Sequence, residues 1–520
     1  MLRIFEKCRS LVSGETWSRI AEAWTAGYPG AFPAFLARHE HRLSLPSFLP
    51  ELAELEWAHE KVREAAIPSP GEIRQVSLNP ALQLLKSSWK NLSLQWSSET
   101  DIPGPEPGEE WLLVWRRPGD TEVRLAVASR NDLLALKITA EESDPRELAG
   151  AHRLSVGPIE ETIDRGVRKG ILLAPPSKIR REPSFPAGAM EGDAFSTCTV
   201  FTLQWHITQA CDLHCKHCYD RSDRDSMGLE QAVAVLEDLH GFCKERHVRG
   251  QVTFTGGNPL LYPHFQEVFR TARDLNFSAA ILGNPAPRAQ VERLVALDPP
   301  VYYQISLEGL EKHNDEIRGP GHFRRAMEFL GVLRELGIYS MVMLTLTRDN
   351  MDQVLPLADY IGEKADLFTF NRLSLTGEGA RLRLPAKDRY AAFLESYAEA
   401  AEVNPVLGLK DNLLGILRHV KGIEPFGGCT GYGCGAAFNF VSLLADGEVH
   451  ACRKFPSPIG NVLEQGMAGV YDSAGARKYR SGCEACRGCA IRPVCGGCMA
   501  MAHSFGLDVF RERDPFCFME

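Results

Sequence analysis

The sequence predicts an α/β chain built on a parallel sheet, with a mainly helical (α+β) region before it and a cysteine-rich region after it. Three observations predict this. From 199 to about 400, short apolar segments alternate six times with amphipathic ones, the pattern of βα units joined by right-handed crossovers. The N-terminal stretch shows helical periodicity and no ligand cluster. Nine of the fifteen cysteines fall between 429 and 517.

At 520 residues the chain is too long for one core and calls for roughly two to four domains. With 44% hydrophobic and 24% charged residues it has the composition of a soluble globular protein. A net charge of −9 gives no general reason to expect nucleic-acid binding. No apolar run reaches the roughly 18 residues of a membrane span. The N-terminal MLRIFEKCRSLVSGETWSRI lacks the continuous apolar segment of a secretory signal, so a cytoplasmic location is expected. Disulfides are rare in that compartment. Dense cysteine at CxxC spacing there reads as metal ligation.

In chain order, residues 1 to about 70 read as helical, with Leu49, Leu52, Leu55 and Trp57 near one stripe. EWLLVWRRPGDTEVRLAVAS reads as two strands around a Pro-Gly-Asp turn. The Pro- and charge-rich stretch near 174–193 reads as a linker. The strand candidates that follow are TVFTLQWHIT, QVTFTGG, SAAILGN, VYYQISLEG, SMVMLTLT and LFTFNRLSL. Six such units fit an open sheet or a partial barrel, and in either the chemistry belongs at the C-terminal strand ends. After about 400 one hairpin is clear, FNFVSLL and EVHACRKF around Ala445-Asp446-Gly447. The short loops beyond it need metal to hold their shape.

The first strand runs into HITQACDLHCKHCYD, which places Cys211, Cys215 and Cys218 at CxxxCxxC. A cubane has four iron corners, so three thiolates leave one iron free for an exchangeable ligand. A zinc site completed by His206, His214 or His217 is the alternative, because spacing alone does not choose the metal.

This loop resembles the radical S-adenosylmethionine (SAM) superfamily. The resemblance implies a partial (β/α)6 TIM-like barrel and a [4Fe–4S] cluster whose open iron is chelated by SAM. It also implies reductive cleavage of SAM to a 5′-deoxyadenosyl radical that abstracts hydrogen from substrate. Further motifs fall in the family's order. Gly256-Gly257-Asn258-Pro259 resembles its Gly-Gly-Glu-Pro stretch, with Asn in place of Glu. Asn284 falls where the family often shows Thr-Asn-Gly. Ser306-Leu307-Glu308-Gly309 resembles Ser-Leu-Asp-Gly, and Arg318 matches an arginine that pairs with the SAM carboxylate. By this resemblance Gly256, Gly257, Asn258, Pro259, Asn284, Ser306, Glu308 and Arg318 contact SAM. Tyr219 is either packed near the adenine or plain core.

The C-terminal cysteines are Cys429, Cys434, Cys452, Cys483, Cys486, Cys489, Cys495, Cys498 and Cys517. They exceed one tetrahedral site and suffice for two four-thiolate centres with one spare. Their arrangement resembles the SPASM domain, which implies two auxiliary [4Fe–4S] clusters and three in all. By carry-over, Cys434, Cys452 and Cys498 serve auxiliary cluster I, with Cys429 as fourth ligand or Cys483 in its place. Cys486, Cys489, Cys495 and Cys517 serve auxiliary cluster II. Cys8, Cys198 and Cys243 read as ordinary thiols.

The N-terminal YPGAFPAFLARHEHRLSLPSFLPELAELEWAHEKV resembles HvfC-like partner proteins of peptide-modification systems, most specifically at Leu55-Glu56-Trp57. The combination of halves resembles maturases of selenobiotic-type peptides. The expected division is 1–173 for the HvfC-like domain, 174–198 for the linker, 199–400 for the radical SAM core and 401–520 for the SPASM domain. The expected function is modification of a ribosomally synthesised peptide, with flavodoxin or ferredoxin as electron donor and neither nucleic acid nor membrane as partner. A sulfatase-type (formylglycine) maturase and a zinc-stabilised scaffold are the alternatives. No catalytic residue is assignable beyond the cluster ligands.

Overall fold

The computed structural model describes residues 2–24, 27–96, 103–183, 185–186, 188 and 194–519. The chain divides into two compact units, Met1–Pro176 and Ser177–Glu520.

In the first unit, helices Phe32–Leu43 and Leu49–Glu64 bury Phe32, Phe35, Leu36, Leu49, Leu52, Leu55 and Ala58. Burying side chains of this size is worth about 1.5–3 kcal/mol each. Glu56 of the Leu-Glu-Trp motif points inward. Its two oxygens accept the backbone N–H groups of Lys7 (2.6 Å) and Cys8 (3.0 Å), which pins the N-terminal turn to the second of these helices. An antiparallel sheet follows, with Glu106–Arg116 between Leu82–Lys90 and Val123–Val127. The two strands expected around Pro-Gly-Asp are Glu106–Arg116 and Val123–Val127.

The second unit is built on nine strands. They are β1 (Val200–Thr208), β2 (Arg249–Gly256), β3 (Ser278–Leu282), β4 (Tyr303–Ser306), β5 (Ser340–Leu346), β6 (Leu367–Arg372), β7 (Phe440–Leu443), β8 (Glu448–His450) and β9 (Pro458–Asn461). The first six match the six sequence candidates and pair in parallel, in the order β6-β5-β4-β3-β2-β1. Each crossover carries a helix on an apolar stripe. Leu229–Arg246, for example, buries Ala232, Val235, Leu236, Leu239 and Phe242 at helical spacing. It stops at His247, in the left-handed region at φ 54°, with Lys244 and Arg246 in its last turn, where cations suit the helix dipole.

The sheet does not end with the barrel strands. The expected hairpin forms as β7 and β8, and β7 pairs in parallel with β1, with Leu443 opposite Trp205. The cysteine-rich region therefore grows from the first barrel strand. The stretch expected as a linker is anchored at its start: Lys178 N–H donates to Arg246, and the Arg181 guanidinium donates to the carbonyls of Tyr432 and Cys434. Its residues 184, 187 and 189–193 lie outside the described set. Among the described residues, no helix is long and apolar enough to cross a membrane. Cys8, Cys198 and Cys243 are buried.

Candidate functional site

The exits of β1 to β4 converge on the 211–218 loop. Cys211 is exposed, Cys215 buried and Cys218 half-buried. The exit of β2 lies directly against the loop's start: Gly257 N–H donates to Thr208 (2.8 Å) and Asn258 N–H to Ala210 (2.7 Å). A Cβ at Gly256 or Gly257 would stand 2.2 Å from the carbonyl oxygen of Thr208 or Ala210. The two glycines let β2 close on the cysteine loop itself, with Gly256 at φ +122°. Pro259 opens a short turn whose Leu260 N–H is capped by Asn258 Oδ1.

Asn258 and Asn284 share an acceptor that sequence reasoning missed. Their Nδ2 atoms donate to Asp212 Oδ1 at 3.1 and 2.6 Å, and Asn284 Nδ2 also reaches the Cys211 sulfur at 3.5 Å. The one available signal was a carboxylate placed directly after the first cysteine. Ser306 ends β4, half-buried.

Glu308 and Arg318 meet each other. Glu308 Oε1 accepts from Arg318 Nη2 at 2.6 Å and Nε at 2.9 Å, and lies 2.8 Å from His217 Nε2. Its Oε2 accepts Thr345 N–H at 2.9 Å. Burial alone would raise the Glu308 carboxyl, but His217 and Arg318 hold it down at about 2. Arg318 closes the helix Glu311–Arg318 with its side chain only 9% exposed. Its Nη1 stands 3.6 Å from the Cys215 sulfur. Burial pushes the Cys215 thiol up and Arg318 opposes that. A guanidinium at this position favours the thiolate, the form that ligates metal. His217, which sequence reasoning weighed only as a zinc ligand, serves here as a partner of Glu308.

Past the loop, Tyr219 lies under Arg453, 5.3 Å from ring centroid to guanidinium, and edge-on to His206. Asp220 pairs with the same Arg453. Arg453 directly follows Cys452, so the first cysteine loop is tied to the C-terminal cysteines by an ion pair that no motif announces.

The C-terminal cysteines gather around two cavities. Cys429, Cys434, Cys452 and Cys498 line one of about 70 Å³. Cys486, Cys489, Cys495 and Cys517 line another of about 20 Å³. Cys483 lines neither, and faces a third cavity beside Arg492. Arg372, at the end of β6, ties the two sets together. It donates to Asp411 (2.8 Å) and, through both Nη atoms, to Asp514 (3.0 and 2.7 Å). Asp514 in turn accepts Cys498 N–H (3.0 Å) and lines the second cavity. Gly497 N–H points at the Cys495 sulfur at 3.4 Å.

These residues fit iron–sulfur clusters. A zinc ion draws thiolates to bonds of about 2.3 Å. Among the described residues, no three His, Cys, Asp or Glu side chains close around one ion. A cubane is a larger body, held at its corners and stabilised by N–H donors to sulfur, and such donors stand on Cys211, Cys215 and Cys495.

Comparison with known proteins agrees. Residues 205–361 match the radical SAM superfamily and 434–498 the SPASM iron–sulfur cluster-binding domain. The AdoMet-dependent heme synthase of Methanosarcina barkeri is 26% identical, over 61% of this chain and 95% of that protein. The sporulation killing factor maturation protein SkfB of Bacillus subtilis is 24% identical, over 58% and 71%. The mycofactocin maturase MftC of Mycolicibacterium smegmatis is 28% identical, over 61% and 82%. Among solved structures, Streptococcus suis SuiB bound to its precursor peptide SuiA shares the fold, with a TM-score of 0.50 and 18% identity over 79% of this chain and 96% of that one. Residues 205–361 are therefore a radical SAM domain and 434–498 an iron–sulfur cluster-binding SPASM domain, and the chain that carries them is a SAM-binding enzyme.

Proposed function

We propose that the protein modifies a ribosomally synthesised peptide, using three [4Fe–4S] clusters. Cys211, Cys215 and Cys218 hold the SAM-binding cluster. Cys429, Cys434, Cys452 and Cys498 hold auxiliary cluster I, and Cys486, Cys489, Cys495 and Cys517 hold auxiliary cluster II. The observation that carries the reading is a loop of three thiols at the barrel strand ends, with Arg318 on Cys215 and Asn284 on Cys211. When bound, the cluster would supply the one-electron chemistry of reductive SAM cleavage, and SAM the means of hydrogen abstraction from the peptide.

The chain's own residues then bind and orient. The exits of β2, β3 and β4 present Gly256, Gly257, Asn258, Pro259, Asn284 and Ser306 to SAM. Glu308 holds Arg318 in place, and Arg318 faces the cofactor's carboxylate. With four cysteines lining each cavity, every corner of an auxiliary cluster would have a thiolate, which favours electron relay over substrate binding. The 1–173 region is the recognition module, resembling HvfC-like partners, and 174–198 joins it to the core (199–400) and the SPASM domain (401–520). The electron donor is a flavodoxin or ferredoxin, and the reaction takes place in the cytoplasm. The peptide assignment is supported by what SkfB and MftC mature and by the SuiA peptide on SuiB.

Co-expression with short open reading frames adjacent to the gene, followed by intact-mass analysis, tests the peptide assignment. The expected result is a mass change in one peptide, absent with Cys215→Ala. Unchanged masses for every adjacent peptide, together with active SAM cleavage, would overturn the assignment while leaving the radical chemistry standing.

A further inference from the structure

We propose that the arginine-lined cavity of the second unit is an anion site that takes a phosphate or carboxylate group. It lies beside the auxiliary cysteines, and neither the radical chemistry nor the peptide assignment uses it.

The cavity measures about 230 Å³ and is lined by Arg180, Arg181, Arg480, Arg487 and Arg492. Among the described residues, two carboxylates line it, Glu182 and Glu484, in a chain of net charge −9. Arg492 is the decisive residue. It is 4% exposed, its Nη2 donates to the Ser481 carbonyl at 2.9 Å, and its Nε has no acceptor. Arg181 donates to the carbonyls of Arg480, Tyr432 and Cys434 at 2.8 to 3.0 Å, and its Nε also lacks an acceptor. Arg480 likewise spends its Nη1 on two carbonyls, those of Ala437 and Tyr471.

Carbonyls satisfy N–H groups but do not cancel charge. None of Arg181, Arg480 or Arg492 has a carboxylate within ion-pair distance among the described residues. Burying a charge without an ion-paired partner is costly; Arg480 feels Asp472 and Glu182 and Arg181 feels Cys434 at longer range, and a bound anion would complete the pairing. Aromatic faces hold the guanidinium planes: Arg181 lies 3.9 Å from the Phe438 centroid and Arg480 4.2 Å from that of Tyr471. Planes fixed in this way present N–H edges in the geometry that oxyanions accept. Arg487 is exposed at the rim, where an anion enters.

The test uses the full chain, anaerobically reconstituted, in a phosphate-free chloride buffer. Calorimetric titration with inorganic phosphate, and separately with a hexaglutamate peptide, distinguishes a free oxyanion from an acidic polypeptide. We expect one probe to bind saturably at one site. Affinity should fall about tenfold or more in Arg492→Gln and Arg487→Gln, as for loss of one charge-assisted hydrogen bond. It should hold in Arg288→Gln, a surface arginine paired with Glu292 and Glu335. If Arg492→Gln loses iron, the exposed Arg487→Gln decides. No binding of either probe, or equal binding by Arg487→Gln and the parent, overturns the proposal and leaves these guanidiniums only to offset the charge of the clusters.

Discussion

The two cysteine regions solve the same ligation problem with opposite logic. The 211–218 loop gathers three thiols from eight consecutive residues at one strand end, and the surrounding strand ends supply the polar contacts. The C-terminal region draws its thiols from segments between 429 and 517 and sorts them four and four. Cys495 and Cys498 lie three residues apart yet line different cavities. In the proposed assignment a contiguous motif would leave a fourth corner for a cofactor, whereas a set assembled by the fold would close it.

Removing one thiol from each region gives the largest contrast. Cys215→Ala should abolish SAM cleavage and remove about four irons while the auxiliary clusters stay, as read by iron analysis and 5′-deoxyadenosine assay. Cys429→Ala should also lose about four irons, from the C-terminal set alone, whereas Cys483→Ala should lose none. Iron loss in Cys483→Ala with none in Cys429→Ala would exchange their roles.

The buried arginines sharpen the comparison further. Arg318 rests on Glu308 and Arg372 on Asp411 and Asp514. Arg372→Gln strands two buried carboxylates, at about 3–5 kcal/mol, measurable by chemical denaturation, whereas Arg318→Gln leaves Glu308 with His217 and the Thr345 N–H and costs less. Only Arg318→Gln should also weaken SAM binding, and equal SAM affinity in the two variants would remove Arg318 from that site. The smallest effect belongs to His322, whose Nδ1 lies 3.1 Å from Asn314 Nδ2. Burial, then Arg318 and Arg325, pull its pKa from 6.5 to about 4. The unfolded chain binds this proton first, so the contribution of His322 is complete above pH 6.5 and drains as pH falls toward 4, by at most about 1.4 kcal/mol per unit. His322→Gln should flatten that part of the stability–pH curve.

Local periodicity made the six barrel strands and the β7–β8 hairpin legible, because each declares itself within ten residues. The pairing of β7 with β1 was not legible, since it joins four-residue stretches more than 200 positions apart. The same holds for the site. The cysteine loop and the strand-end glycines are contiguous signals. The Glu308–Arg318–His217 cluster and the Asp220–Arg453 pair are contacts between distant loops, and single charged residues carry no mark of their partners. Asn258, which stands where the resembled motif has Glu, donates to Asp212, a partner no motif announces.

The central claim is that three thiolates at the end of β1 leave one iron corner to SAM. Anaerobically reconstituted protein, strongly reduced and given SAM, should release 5′-deoxyadenosine and methionine in equal amounts, and Cys215→Ala should release neither. Protein that carries its full complement of iron yet leaves SAM intact, with or without peptide, would contradict it.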